Sequence, residues 1–369
     1  MIDPDSNEMA AIKLACLPQM TPVRLRALLA HWGGPSLACA AIIDGAAADA
    51  LTGRLEHKSI SAARAWTQAI AIERPESLAR SRGTRAVWSG QDDYPIDEGI
   101  PDPPGVLMYE GDRPDAFERP RVAVVGTRSA SPHGLKDAYE IGAALARAGV
   151  VVVSGLAIGI DAAAHHGALD AGGPVIGVIA TGLDIVYPRR HNTLYDRVRR
   201  GGLIVSEQPF GMQPRRELFP IRNRIIAALG DVTAVIEATV TGGARITAKA
   251  AVDYGRHVLA MPGSRRNPSA AGCNDMLRLG EAHPLVEPND LLEALGLTAA
   301  SRRVPLDKNG APGGTPDERA VHSALHGEPA TLDEISARTG LGPSEVARAI
   351  AGLVRGNGAT RAHGLVWPT

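Results

Sequence analysis

Five arginines stand where the chain would turn at the ends of strands. Arg128 follows Gly126 and Thr127, which close a β-branched run that starts at Arg121. Arg189 and Arg190 follow Tyr187-Pro188, while Arg222 and Arg224 flank Asn223 at the start of an apolar helical pattern of Ile225, Ile226 and Leu229. A guanidinium stays charged, and its planar fork can bond two phosphate oxygens at once. Gathered at one edge of a sheet beside glycine turns, these groups would grip a nucleic-acid backbone. Aromatic residues make up only 4% of the chain. Base stacking is therefore expected to be a small part of binding, with little sequence preference.

Other chemistries fit less well. A dinucleotide-dependent dehydrogenase needs Gly-x-Gly-x-x-Gly after its first strand, and Gly126-Thr127-Arg128-Ser129-Ala130-Ser131 keeps the first glycine alone. His165 and His166 lie about one helical turn after Asp161. The spacing suits helix capping and an orienting hydrogen bond better than catalysis, since no nucleophile is placed beside them. Glu207 and Glu237 at strand ends could act as acids or bases, or balance the nearby arginines. Cys16, Cys39 and Cys273 are odd in number and lack metal-ligand spacing, which favours small buried residues in a reducing compartment. No catalytic residue, metal or cofactor is expected.

These groups need a scaffold, and 369 residues suffice for two or three domains. Hydrophobic content of 44% and charged content of 21% are ordinary for a globular protein. A formal net charge of −1 gives no global pull toward a polyanion, so any such site must be a local concentration of arginine. No apolar run has transmembrane length and the N-terminus lacks a signal pattern. A cytoplasmic, soluble protein is expected.

Between 121 and about 297 strands and helices alternate. Strands are expected at 121–125, 150–154, 174–180, 203–206, 232–237 and 257–261, with helical patterns at 159–171, 190–200, 221–229 and 244–254. Ser131-Pro132 supplies an N-cap and a first-turn proline for a further helix through Leu135, Ala138, Tyr139, Gly142, Leu145 and Ala148. This predicts an α/β fold: a Rossmann-like, mainly parallel sheet whose ligands gather at the carboxyl ends of the strands. Those ends carry Gly126-Thr127-Arg128, Ser154-Gly155 and the run from Thr241 through Gly243 and Arg245 to Thr247. The helix after Ser131 would also offer free N–H groups to a phosphate.

Residues 1–80 read as a small helical domain, broken at Gly33-Gly34-Pro35. Its turn at Leu17-Pro18-Gln19-Met20-Thr21 lacks the glycine pair of a helix-hairpin-helix that grips DNA. Residues 82–120 read as a Pro/Gly-rich lead-in with short extended pieces such as 106–109, so that lead-in and core together span 81–297. Linker composition covers 298–316. Helical patterns at 317–326, 332–339 and 343–355, with caps at Gly340 and Gly356 and extended pieces around Thr360 and Val366 flanking Gly364, give 317–369 the plan of a winged helix. Its arginines are offset by acids, which suits contact with a partner better than duplex binding.

The ordered segments of 92–285 resemble the DNA-processing protein A (DprA, or Smf) family. They include Asp93-Tyr94-Pro95, Val124-Val125-Gly126-Thr127-Arg128, Val153-Ser154-Gly155-Leu156-Ala157, Gly182-Leu183-Asp184, Phe219-Pro220, Arg222-Asn223-Arg224-Ile225-Ile226, Ile246-Thr247-Ala248, Met261-Pro262-Gly263 and Gly272-x-Asn274. The resemblance implies a non-enzymatic, dimeric protein that binds single-stranded DNA and loads the RecA recombinase onto it in natural transformation. It implies a DNA pocket of Gly126, Arg128, Ser154, Gly155, Arg222, Asn223, Arg224, Gly243 and Thr247. Where the family has Ser-Gly-Ser-Leu, this chain has Gly242-Gly243-Ala244-Arg245, and Arg245 adds a phosphate contact. The core also resembles, more faintly, the lysine-decarboxylase-like nucleotide phosphoribohydrolases through Thr241-Gly242-Gly243. The glutamates those enzymes use are replaced here by Thr247-Ala248-Lys249.

Overall fold

A computed structural model describes residues 4–46, 65–66, 69–70, 74–297, 315–325, 330–355, 359–362 and 365–368. Internal contacts divide the chain into two compact units, Met1–Leu297 and Thr298–Thr369.

The first unit opens with α1 (Pro4–Ala15), α2 (Pro22–Trp32) and α3 (Pro35–Ile43). Thr21 caps α2, its Oγ1 accepting from the Arg24 N–H at 3.3 Å, and the left-handed Gly33 ends it. Helix α4 (Arg74–Arg82) leads into β1 (Arg85–Trp88). Glu8 of α1 pairs with Arg85 and accepts from the Ala86 N–H, each at 2.7 Å, which fixes the helical segment to the sheet edge.

The core then follows as β2 (Val106–Glu110), β3 (Arg121–Val125), α5 (Pro132–Arg147), β4 (Val151–Ser154), α6 (Ile160–Asp170) and β5 (Val175–Val178). It continues with α7 (Asn192–Gly201), β6 (Gly202–Ser206), α8 (Leu218–Leu229), β7 (Val232–Val235), α9 (Gly243–Asp253) and β8 (His257–Ala260). Helix α10 (Ala271–Leu279), β9 (His283–Pro284) and α11 (Pro288–Ala294) complete it. The sheet has nine strands in the order β1-β2-β6-β5-β4-β3-β7-β8-β9. From β6 to β9 every pairing is parallel, and β2 joins β6 and β1 antiparallel. The lead-in thus supplies two strands of the sheet. Every residue of β2 is buried, and buried backbone polar groups must find partners.

The β-branched strands sit between two helical layers. Val122 and Val124 pack with Ile141, Leu145 and Ile160 on one face, whereas Ala123 and Val125 pack with Ile225, Leu229 and Ala248 on the other. This alternation is what burial on both faces requires. The chain order reverses between β3 and β7. From β3 it steps through β4, β5 and β6 on one side, then returns to β7, β8 and β9 on the other. Ligand crevices in open sheets form at such a switch point.

The second unit contains α12 (Pro316–Leu325), α13 (Leu332–Thr339), α14 (Pro343–Arg355) and the antiparallel hairpin of β10 (Ala359–Ala362) and β11 (Leu365–Pro368). Val321, Leu325, Ile335, Val346, Ile350, Leu353 and Val366 form its core. Thr331 and Glu334 make a reciprocal capping box, and Gly340 closes α13 at φ 72. This is a winged helix. The linker expected at 298–316 lies, up to 314, outside the described residues, as do Gly356 and Gly364. Among the described residues no helix is long and apolar enough to cross a membrane.

Candidate nucleic-acid interface

A cleft of about 360 Å³ opens at the switch point. Of the residues expected there, Gly126, Thr127, Arg128, Arg222, Asn223, Gly243 and Thr247 line it. They come from the turn after β3, the first turns of α8 and the start of α9. The Thr127 N–H donates to Glu237 O at 2.7 Å, which ties the β3 turn to the end of β7. A Cβ on Gly126 would collide with Ile160 and stand 2.9 Å from Glu237 O. That glycine is required by the packing of α6 against the switch point.

Among the helices that begin at this edge, α5, α6 and α9 differ in what already occupies their N-termini. Ser131 caps α5, as expected, its Oγ accepting from the Gly134 N–H at 3.0 Å. The buried Glu237 carboxylate fills the rest of that N-terminus, accepting from Ser131 N at 2.8 Å, Ser131 Oγ at 2.6 Å and Asn267 Nδ2 at 3.0 Å. The anion place expected after Ser131 therefore holds the protein's own carboxylate. In α6, Asp161 lies in the first turn and accepts from Gly155 N at 3.1 Å and Ala157 N at 3.4 Å. The third, α9, begins at Gly242-Gly243 with no side-chain cap and no acid in its first turn. The N–H groups of Gly243 and Ala244 have no protein acceptor among the described residues. An uncapped helix start carries about half a positive charge, so α9 is a vacant anion acceptor at this edge.

Arg128 is exposed, with its guanidinium 4.8 Å from the Phe219 ring centroid. Its side chain makes no ion pair among the described residues. Arg222 is in the opposite condition. It is 5% exposed, and its Nη1 donates to Gly155 O at 2.7 Å and to Val178 O. It thereby ties the ends of β4 and β5 to α8, with the buried Asp161 as its counter-charge. Burial pushes the Asp161 carboxyl up, and the Arg222 guanidinium opposes that push. A Cβ on Gly155 would stand 2.7 Å from both the guanidinium and Asp161 Oδ2, so glycine is needed for this close approach. Asn223 bridges α8 to α9, donating to Gly243 O at 3.2 Å.

Other expected residues lie elsewhere. Ser154 is buried, its Oγ donating to Val124 O at 2.6 Å within the sheet. Gly155 lines a smaller adjoining recess with Arg128, Tyr187, Phe219 and Arg222. Arg189 and Arg190 are exposed in the turn after Pro188 and do not line the cleft. Arg224 points away from it, paired with Glu207 and with Asp102, whose backbone oxygen accepts at 2.8 Å. Arg245 lines a separate cavity and pairs with Asp275 and with Glu281 at 2.8 Å. We expect Arg224→Ala to lower stability by about 3 kcal/mol, because the buried Glu207 loses its partner. The affinity of the folded fraction for a ligand of the cleft should not change. Chemical denaturation beside a binding titration checks both halves of that expectation.

Phe219 lines the cleft as well, a role not expected for it above. It stands one helical turn before Arg222, a spacing that shares a face, and its ring lies 5.6 Å from that of Tyr187. Asp93-Tyr94-Pro95 sits away from the cleft, with the Tyr94 hydroxyl donating to Pro104 O at 2.6 Å. Burial pushes His165 down to about 3, so its imidazole is neutral, and Asp161 serves the loop and Arg222. Cys39 and Cys273 are buried and Cys16 is half-buried, as the odd count suggested. Among the described residues no group of three or more His, Cys, Asp or Glu is placed to hold a metal.

Comparison with known proteins agrees with this layout. The sequence model of DNA recombination-mediator protein A matches residues 85–296, and that of the DprA winged helix domain matches 306–353. The chain is 36% identical over 289 residues to protein Smf of Synechocystis, covering 69% of this chain and 72% of that protein. The X-ray structure of DNA processing protein A from Streptococcus pneumoniae superposes with a TM-score of 0.65 at 32% identity, over 78% of this chain and 97% of that one. DNA processing protein A from Helicobacter pylori, described for its single-stranded DNA binding mode, superposes with a TM-score of 0.51 at 28% identity, over 57% and 95% of the two chains.

Proposed function

Because the chain belongs to the DNA recombination-mediator protein A family, we propose that it binds single-stranded DNA by its backbone at the switch-point cleft. The observation that carries this reading is the vacant start of α9, which shares one cleft with the unpaired Arg128. A phosphate there accepts from the Gly243 and Ala244 N–H groups and from the Arg128 guanidinium. Asn223 and Thr247 line the same cleft, and the Phe219 ring beside Arg128 offers an apolar face to a neighbouring base. The single-stranded DNA binding mode of the Helicobacter pylori neighbour supports the choice of ligand. Arg222 belongs to this site as the strut beneath it.

The cleft supports binding over nucleotide hydrolysis. Asp161 is the carboxylate in its lining, and it already accepts two N–H groups beside Arg222. Loading of RecA, assembly as a homodimer, a role in natural transformation and a cytoplasmic location are part of the proposal. They rest on family membership and on the family's description as a recombination mediator. The helical segment 1–80 and the winged helix 317–369 are proposed as partner-contact modules.

Competition between single- and double-stranded oligonucleotides across a salt series tests the reading. Single strands should bind more tightly, with affinity falling steeply as salt rises. Arg128→Ala should lower single-strand affinity about tenfold, since a charge-assisted bond contributes roughly 1.5–3 kcal/mol. It should flatten the log–log salt slope by about 0.7 for the lost phosphate contact. The unfolding transition should stay in place, because the side chain is exposed. Preference for duplex would overturn the single-strand reading, and an unchanged slope in the variant would remove Arg128 from the site.

A further inference from the structure

The loop after β8 carries two arginines that no motif above uses. Arg265 and Arg266 are both exposed, and among the described residues their side chains have neither an ion pair nor a hydrogen bond. Local acids do not neutralise them. Asp275 is held by Arg245 and Arg278, and Glu281 by Arg245. The loop is nevertheless built into the rim of the cleft. Asn267 Nδ2 donates to Glu237 Oε1 at 3.0 Å, and Ser269 Oγ donates to Ser129 O at 3.4 Å, one residue from Arg128. The Gly272 N–H donates to Ala238 O at 2.7 Å, and Ala238 lines the cleft. Inside the loop, Arg266 N donates to Ser264 Oγ at 3.3 Å and Ser269 N to Asn267 Oδ1 at 3.0 Å, so its course is set by its own hydrogen bonds.

We propose that the bound single strand continues from the cleft across the end of β8, where Arg265 and Arg266 hold its next phosphates. This rests on the reading of the cleft as a single-strand site and extends it. In sheet order β8 lies two steps from β3, about 10 Å at the usual strand spacing, which an adjacent stretch of nucleotide backbone reaches. In a chain of net charge −1, unneutralised guanidiniums at Arg128, Arg265 and Arg266 make one edge locally cationic. The loop 261–272 contains no aromatic residue, so the contact is to phosphates and indifferent to base.

The test titrates the full-length protein and its R265A/R266A variant with oligothymidylates of about 4 and about 16 nucleotides, which span the site sizes of single-strand grooves. The variant should bind the short oligonucleotide as the parent does. It should bind the long one about tenfold more weakly, with a salt slope flatter by about 1.4 for two lost contacts. An R265Q/R266Q variant, which keeps polar side chains and removes the charge, should behave in the same way. Equal affinity and slope for the long oligonucleotide overturn the inference, as does an equal loss for both lengths. A parent that binds neither length overturns the cleft reading itself and this inference with it.

Discussion

Replacing Gly243 with aspartate is expected to lower single-strand affinity about a hundredfold without weakening the fold. A Cβ at this position meets only Asn223 Nδ2, at an ordinary 3.8 Å, so a side chain fits. A carboxylate at the start of α9 would take the place assigned to a phosphate and repel any phosphate that approached. At about 4 Å and an effective dielectric near 20, two unit charges interact by about 4 kcal/mol, and even with half of that screened the loss exceeds tenfold. The effect on stability has the opposite sign. An acid at a helix N-terminus contributes about 0.3–1 kcal/mol, and removing a glycine restricts the unfolded chain. Thermal unfolding should therefore move upward while binding collapses. Gly243→Asn, with the same shape and no charge, should retain most of the affinity. An aspartate variant that binds like the parent would contradict the assignment of α9.

The second large effect concerns the strut. Arg222→Met should cost about 5 kcal/mol of stability, at the upper end for breaking a buried charge arrangement. It leaves Gly155 O and Val178 O without their donor and Asp161 without its counter-charge. The deficit should depend on pH with a definite sign. Burial already holds the Asp161 carboxyl above its ordinary range, and loss of Arg222 raises it further. A carboxyl whose folded value lies above its unfolded one destabilises the fold at higher pH. The penalty should then shrink as pH falls through that folded value. Denaturant midpoints across a pH series check this, and R222M/D161N should recover part of the loss. A deficit that stays constant with pH would mean that Asp161 is not the group left stranded.

Much of this scaffold could be read from the chain. The Val122–Val125 run and the Ser131-Pro132 start of a helix are local signals, and both elements appear where those residues stand. The parallel sheet followed from the alternation of strands and helices, whereas the place where its order reverses depends on strand pairing that alternation does not fix. The chemistry of the individual arginines was less legible, because it depends on partners distant in sequence. Arg222 and Arg224 are separated by about 200° around a helix of 3.6 residues per turn. The first falls on the face of Ile225, Ile226 and Leu229, and the second turns to Glu207 and Asp102. Glu237, which closes the α5 terminus, comes from 106 residues further along the chain. What the sequence did carry was a missing cap at Gly242 and an acid-free first turn after it. Those absences mean little until the starts of α5 and α6 are seen to be occupied.

A structure of the protein with a short oligothymidylate tests the central claim most directly. The account predicts a backbone phosphate within hydrogen-bonding distance of the Gly243 and Ala244 N–H groups, with the Arg128 guanidinium on the same phosphate or its neighbour. A strand bound on another face of the sheet, with the start of α9 left to solvent, would contradict it.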